Sequence, residues 1–213
     1  DAFLVSSLQA KKSKYSFSQF LKRFSIVKEE MHIDLDEFDL SYYTYGMSIY
    51  KNMPLIEPLE TKEVKKIYEF VIVLDTSYSI NEELAKRFLS NTYTILSTSN
   101  MFYKSCKVHI IQCDDRIRKD DVISNQNEMD RLLNSFTLVG GGNTDFRPVF
   151  SYVNDLVDQK VFQNLCGLLY FTDGKGIYPK KSPAYKTAFI YLEDYDRSKV
   201  PSWAIQYRLE EKL

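Results

Sequence analysis

The sequence has few of the residues that build disulfide scaffolds or zinc sites. Three cysteines and two histidines occur among 213 residues, and no C-x-x-C pair is present. Cys106, Cys113 and Cys166 lie at the ends of apolar runs, so we expect buried free thiols and a reducing, cytoplasmic compartment. Neither histidine belongs to an H-E-x-x-H pattern, which excludes a zincin-type peptidase centre from this chain.

An excess of either charge and long apolar runs are also lacking. Lys and Arg total 28, Asp and Glu total 29, and the formal net charge is −1. This balance gives no reason to expect nucleic acid or an anionic membrane surface as a partner. No run of 18 apolar residues occurs, so no membrane-spanning helix is predicted. The chain begins with Asp1 and has no signal-peptide pattern, and we expect it to be part of a longer protein.

Two parts of the chain differ in pattern. Residues 1–60 lack strong strand signals, and we interpret them as an N-terminal extension. It contains a predicted helix at 17–27 and, at 53–58, a segment with two prolines that is an ordered linker or an edge segment. Residues 61–213 alternate between apolar runs and segments with helical spacing. We therefore predict one domain over residues 61–213.

The alternation within this domain predicts its fold class. The predicted strands cover residues 68–74, 107–112, 116–123, 165–172, 186–192 and 203–209. The predicted helices cover residues 81–97, 127–136 and 146–156. Strands that alternate with helices favour right-handed crossovers, so we expect an α/β, Rossmann-like doubly wound and mostly parallel sheet flanked by helices. His109 falls inside a predicted strand and is expected to be packed in the sheet.

Polar residues cluster in three short segments near the ends of predicted strands. The segments are D-T-S-Y-S at 75–79, G-G-G-N-T-D at 140–145 and T-D-G at 172–174. Open α/β sheets bind ligands outside the carboxyl ends of their strands, at the point where strand order reverses. Two strands would therefore bring the carboxylates of Asp75 and Asp173 into one cleft.

Hydroxyl groups would complete an oxygen-lined site around these carboxylates. Ser77 and Ser79 lie two residues apart in the first segment, and Thr144 offers a hydroxyl from the second. Oxygen ligands of this kind suit Mg²⁺, with Mn²⁺ and Ca²⁺ as alternatives. The set leaves one coordination position open, which an Asp or Glu side chain of a partner protein would fill.

Other interpretations of the same residues stay open. Short Ser/Asp motifs also recur as turns and helix caps, and Asp145 either supports the site or caps the next helix. A magnesium-dependent hydrolase or phosphatase could use the same cleft. The haloacid-dehalogenase type, however, needs a second carboxylate two residues after the strand-end Asp, where this chain has Ser77. A structural domain without bound metal is the third alternative.

The order D-x-S-x-S, then a glycine-rich loop with Thr, then T-D-G after an apolar strand resembles the metal-ion-dependent adhesion site of von Willebrand factor A (VWA) domains. The resemblance covers about residues 68–209 and implies a VWA fold, protein binding rather than catalysis by this chain, and five metal-binding residues. Those residues are Asp75, Ser77, Ser79, Thr144 and Asp173. Tyr78 stands where many VWA domains have glycine, and a ring beside the ion would shield it or narrow the choice of ligand.

Three longer phrases resemble one bacterial group more closely. They are MPLIEPLE at 53–60, GGGNTDFRPVF at 140–150 and YFTDGKGIYP at 170–179. The group comprises the C-terminal VWA-like domains of predicted metallopeptidase-like proteins. This resemblance implies a metallopeptidase-like region upstream and cooperation with a MoxR-type AAA+ ATPase.

Overall fold

The computed structural model describes residues 17–98, 102–192 and 194–209. Residues 17–21 are helical and continue into a 3₁₀ turn at Lys22–Phe24. The seven strands of the described chain are β1 (Ile26–Phe38), β2 (Pro58–Asp75), β3 (Phe102–Cys113), β4 (Ile117–Ile123), β5 (Leu165–Thr172), β6 (Thr187–Tyr191) and β7 (Ile205–Arg208). The longer helices of the same residues are α1 (Leu40–Tyr50), α2 (Glu82–Thr98), α3 (Gln126–Asn134) and α4 (Arg147–Asp158).

The strands from β2 to β7 form one mostly parallel sheet in the order β4-β3-β2-β5-β6-β7. β2 pairs in parallel with β3 and β5, and β5, β6 and β7 continue in parallel. Only the edge strand β4 runs antiparallel to its neighbour within this described sheet. The predicted α/β class with a mostly parallel sheet is therefore confirmed.

The described chain divides into two compact units. The large unit contains residues 17–25 and 67–209, and the small unit is Ile26–Lys66. In the small unit, β1 pairs antiparallel with the first part of β2, from Ile26 opposite Lys66 to Phe38 opposite Pro58. β2 runs through residue 60, where the sequence predicted the boundary between extension and domain.

Alternate residues of β2 enter two apolar layers of the large unit. Val71 and Val73 belong to a buried cluster with the apolar side of α4. Phe70 points the other way and meets Phe24, with ring centroids 5.5 Å apart. Both faces of the central strand are thus buried, which explains why its sequence is a continuous apolar run.

The N-terminal part departs from the prediction at two places. The predicted helix at 17–27 ends at Phe24, because Ser25 is extended (ψ 147°) and the β-branched pair Ile26 and Val27 begins β1. The tyrosine-rich residues 40–50, to which no helix or strand was assigned from the sequence, form α1. Of the segment at 53–58, residues 53–57 belong to no helix or strand, and Pro58 is the first residue of β2.

The cysteines and His109 are packed as expected. Cys106, Cys113 and Cys166 are free and buried, and burial raises the pKa of the first two thiols to about 12. His109 is buried in β3, with its Nδ1 3.0 Å from Asp120 Oδ2 and its ring against Phe162. Within the described residues, no helix is both long enough and apolar enough to cross a bilayer.

Glu69 provides a stability test at the opposite end of the sheet from the polar loops. Its buried Oε2 accepts backbone N–H bonds from Gln163 (2.7 Å) and Asn164 (2.6 Å), which fixes the loop before β5. We expect Glu69→Leu to lower the free energy of unfolding by about 2–3 kcal/mol, because two backbone N–H groups lose a charged acceptor. Glu69→Gln retains an acceptor oxygen and should cost clearly less in urea denaturation. Equal losses in both variants would contradict this role.

Candidate metal centre

Asp75 and Asp173 lie at the same edge of the sheet. Asp75 is the last residue of β2, and Asp173 directly follows β5. Leu74 pairs with Phe171 across these parallel strands, so both chains leave the sheet at the same level. Asp75 is fully buried and Asp173 is 6% exposed. The structure therefore brings the two predicted carboxylates to one place.

This edge is also the switch point of the sheet. From β2 the chain proceeds to β3 and β4 on one side, whereas β5, β6 and β7 follow on the other. The strand order reverses between β2 and β5, and open α/β sheets bind ligands in the crevice beyond the carboxyl ends of strands at such a point. Asp75 and Asp173 stand on its two sides.

The Asp75 carboxylate is held by hydrogen bonds from Ser77 and Thr172. Ser77 N–H donates to Oδ1 (2.9 Å), and the Thr172 hydroxyl donates to Oδ2 (2.6 Å). Burial raises the pKa of Asp75; these hydrogen bonds oppose the rise, and the negative charge of Asp173 adds to it. Each oxygen keeps acceptor capacity, so the carboxylate can also take a cation.

The predicted serines join Asp75 to Asp173. Ser77 Oγ lies 3.2 Å from Ser79 Oγ, and the Ser79 side chain hydrogen-bonds to Asp173. Asp173 also accepts the Lys175 backbone N–H at 3.0 Å and lies 3.3 Å from Lys175 Nζ. Burial raises the pKa of Asp173, but these contacts outweigh it and the pKa is lowered. The result is a continuous row of hydroxyl and carboxylate oxygens.

The glycine-rich loop closes over the first segment. A Cβ on Gly140 would collide with the side chain of Thr76, so only glycine fits there. Gly141 donates its N–H to the Thr76 carbonyl (2.8 Å) with φ +106°, a conformation that favours glycine. Close approach explains the glycine at 140, and the positive φ explains the glycine at 141.

Thr144 and Asp145 follow at the end of this loop. The Thr144 methyl group faces Gly176, so the threonine lies beside the loop that follows Asp173. Asp145 Oδ1 accepts the N–H of Arg147 (3.0 Å), the first residue of α4, and its carboxylate pairs with the Arg147 side chain (2.6 Å). The N-cap of α4 is Phe146, so Asp145 is not the N-cap of this helix, although it accepts the N–H of the first helical residue.

The sequence reasoning missed the residue that anchors this loop, Asp114. Its fully buried carboxylate accepts N–H bonds from Gly142 (3.1 Å) and from the Arg118 guanidinium (2.7 Å). Its carbonyl accepts the N–H of Asp145 (3.0 Å). Burial would raise the pKa of Asp114, but the hydrogen bonds hold it well below its usual range. The signal that could have found it is its position directly after β3, at the same edge of the sheet.

Gln112 and Thr172 are two further supports that sequence reasoning passed over. Gln112 Oε1 accepts the N–H of Val139 (2.7 Å), and its Nε2 donates to the Thr137 carbonyl (3.1 Å). Thr172 donates to Asp75 and accepts the N–H of Gly174 at 3.1 Å. A polar residue at the end of an apolar strand was the available signal in both cases.

Tyr78 lies at the rim of the crevice. Its side chain is 89% exposed, and its ring edge lies beside Gly141. The ring thus covers the glycine loop while Asp75 stays buried below. This position makes Tyr78 a surface that any partner approaching the crevice would meet.

The donor set fits a hard cation rather than a zinc-type centre. In the described parts of the chain, no three His, Cys, Asp or Glu side chains are grouped as metal ligands. The predicted set contains two carboxylates and three hydroxyls, and all five donors are oxygens. Magnesium takes oxygen ligands and is commonly held by one or two carboxylates, so these residues fit such an ion.

The sequence of residues 70–210 matches the family model described as "VWA-like domain (DUF2201)". The chain belongs to this VWA-like family. The matched range contains every residue of the candidate centre. No curated protein matches this VWA-like sequence.

Solved structures similar to this VWA-like domain include three with low sequence identity. The von Willebrand factor type A protein from Catenulispora acidiphila is 9% identical with a TM-score of 0.48, over 71% of this chain and 41% of that one. The SpRpn10 VWA domain is 8% identical with a TM-score of 0.47, over 68% and 89%. The ArnB paralog VWA2 from Sulfolobus acidocaldarius is 13% identical with a TM-score of 0.41, over 89% and 52%. The chain thus spans less than half of the Catenulispora protein.

Proposed function

We propose that this VWA-like domain is a protein-interaction module that binds one divalent cation together with an acidic side chain of its partner. Mg²⁺ is the proposed ion, and Mn²⁺ and Ca²⁺ are the alternatives. The observation that carries the proposal is the meeting of two buried carboxylates, Asp75 and Asp173, where adjacent parallel strands end at the switch point.

The electrostatics of the crevice support a cation there. Burial raises the pKa of the Asp75 carboxyl, and Asp173 adds a second negative charge close to it. A divalent cation would offset both charges, and Ser77, Ser79 and Thr144 would supply neutral oxygen ligands. Five such donors leave one of the six positions that Mg²⁺ prefers. A bound ion would supply a positive centre to which a partner's Asp or Glu carboxylate binds.

We further propose that this chain has no catalytic activity of its own. A phosphatase of the haloacid-dehalogenase type would need a carboxylate two residues after Asp75. This chain has Ser77 there, and the Ser77 N–H donates to Asp75. We also propose that this chain is the C-terminal domain of a metallopeptidase-like protein and that it cooperates with a MoxR-type AAA+ ATPase. This proposal is supported by the resemblance of residues 53–60, 140–150 and 170–179.

Calorimetric titration of Mg²⁺ tests the metal site. We expect saturable binding to the wild type and a loss of affinity of more than about 100-fold in Asp75→Ala, because removing even a supporting group of a metal site costs 10–100-fold. Asp130→Ala is the matched control, since Asp130 is exposed on α3 and pairs only with Gln126 in the described contacts. No binding to the wild type would favour a structural domain without metal.

The partner half of the proposal needs a separate measurement. A fluorescent peptide with a single Asp should bind in Mg²⁺, lose its affinity in chelator, and fail to bind when that Asp is replaced by Asn. Tyr78→Ala should weaken peptide binding and leave Mg²⁺ affinity unchanged, because the ring lies at the rim. Equal peptide binding with and without Mg²⁺ would contradict a metal-bridged interaction.

A further inference from the structure

The small unit, Ile26–Lys66, exposes an unusual amount of apolar surface. Ten large apolar side chains between Phe38 and Ile56 are more than a third exposed, among them Leu40 (66%), Tyr45 (60%) and Ile56 (74%). Taking about 200 Å² for each large side chain, the exposed parts amount to about 1,000 Å². The largest apolar patch on a typical monomer is about 300–600 Å².

The described side chains of the small unit form no apolar core. Among its residues whose side chains the structure describes, only Gly46 is buried, and no large apolar side chain is. Units of about 40 residues rarely bury enough apolar surface to be stable alone, and oligomerisation is one of the usual remedies. The exposed surface is therefore a candidate for burial against another molecule.

The exposed helix α1 is nevertheless held firmly. The Asp39 carboxylate caps its first turn by accepting the N–H of Ser41 (2.7 Å), and Asp39 N–H donates to the Glu57 carbonyl (2.9 Å). Gly46 lies so close to the backbone of Leu55 that a Cβ would not fit. One side of α1 is thus fixed to residues 54–57, and its apolar side chains are presented on an ordered scaffold.

The chemistry of this surface suits a second copy of the same chain. A two-fold interface brings the same surface patch of both copies together, so a patch that carries charge of one sign repels itself. Residues 40–50 contain no Asp, Glu, Lys or Arg. The polar groups there are Tyr, Ser and Thr hydroxyls, which both donate and accept hydrogen bonds and can therefore pair with their own copies. The summed exposed area is of the same order as the roughly 800 Å² that each partner contributes to a standard interface.

We propose that the small unit is a dimerisation surface, in which α1 and the segment up to Ile56 of one copy cover the same region of another. This inference is independent of the proposed metal site.

Sedimentation velocity of the whole chain tests the proposal. We expect the wild type to pass from one to two chain masses as its concentration rises through the micromolar range. Tyr45→Ser with Ile49→Ser changes two exposed side chains one helical turn apart and should raise the dimer dissociation constant by about 100-fold, a factor of ten for each. The matched control is Val122→Ser with Val161→Ser, which removes two similarly exposed apolar side chains of the large unit and should leave association unchanged.

Hydrogen exchange of the wild type locates the interface without any substitution. Amides of residues 40–56 should exchange more slowly at high than at low protein concentration, while those of α2 and α4 should not change. A wild type that stays monomeric throughout would overturn the proposal. Dimerisation with exchange at 40–56 independent of concentration would also overturn it, because the interface would then lie elsewhere.

Discussion

Replacing Asp75 by asparagine is expected to stabilise the metal-free protein and to abolish its binding of Mg²⁺. Asparagine keeps the shape of the side chain and an oxygen to accept the Ser77 N–H, and the Thr172 hydroxyl can turn to accept from the amide. What the substitution removes is a fully buried negative charge. Because burial raises the pKa of this carboxyl, its ionised form is less favourable in the folded chain than in the unfolded one.

The size of this stabilisation by Asp75→Asn depends on pH. A carboxyl whose folded pKa is raised favours folding while it is protonated, below its unfolded pKa of about 3.9. That contribution is lost as the pH rises through the higher folded pKa. The advantage of Asp75→Asn over the wild type should therefore be small at acid pH and complete at neutral pH. The measurement is urea denaturation of both proteins in chelator at several pH values. Asp114, Asp145 and Asp173 have lowered pKa values and contribute in the opposite direction, but both proteins contain them, so their contribution cancels in the difference.

Added Mg²⁺ should reverse the order of stability. At 100 times the dissociation constant, a ligand that binds only the folded state adds about 2.7 kcal/mol. The wild type should gain this stability, and Asp75→Asn should gain none. Asp130→Asn, the exposed control, is expected to stay within about 0.5 kcal/mol of the wild type throughout. If Asp75→Asn were less stable than the wild type in chelator at neutral pH, the hydrogen bonds of Asp75 would outweigh the cost of burying its charge.

The sheet could be predicted because its strands are buried on both faces. The apolar run at 165–172 coincides with β5, since residues flanked by helices on each side have no polar face to interrupt the pattern. β1 was not predicted, because its sequence is not a continuous apolar run. Met31, Ile33 and Leu35 alternate with His32, Asp34 and Asp36, the period of a strand with one polar face, and the acidic residues hid this signal.

The candidate centre, too, could be predicted from the sequence only in part. Asp75 and Asp173 could be placed together because parallel strands carry residues that follow them to one edge, a rule that needs no side-chain detail. The contacts that hold the glycine-rich loop could not be predicted, since they depend on Gln112 and Asp114, at the end of β3, which bond to a loop about 28 residues later in the chain. Long-range hydrogen bonds of this kind leave no periodic pattern in the sequence.

Asp114→Ala is expected to be the most damaging single substitution at this edge of the sheet. The carboxylate is fully buried and accepts from the Arg118 guanidinium and from the backbone of Asp115 (2.7 Å), Arg116 (3.2 Å) and Gly142 (3.1 Å). Alanine would leave these donors without their acceptor, and we expect the free energy of unfolding to fall by about 3 kcal/mol in urea denaturation.

The same substitution should also weaken the metal centre without touching a proposed ligand. Gly142 would lose its hydrogen bond to Asp114, so the loop that carries Thr144 would be free to move. We expect Mg²⁺ affinity to fall by about 10–100-fold, the usual cost of losing a group that positions a metal ligand. Asp114→Asn separates the two roles, because its amide oxygen can still accept the Gly142 N–H while the charge opposite Arg118 is gone. We expect this variant to lose stability but to retain most of its Mg²⁺ affinity. Loss of affinity to the same degree in both variants would mean that the charge of Asp114, and not its hold on the glycine loop, supports the ion.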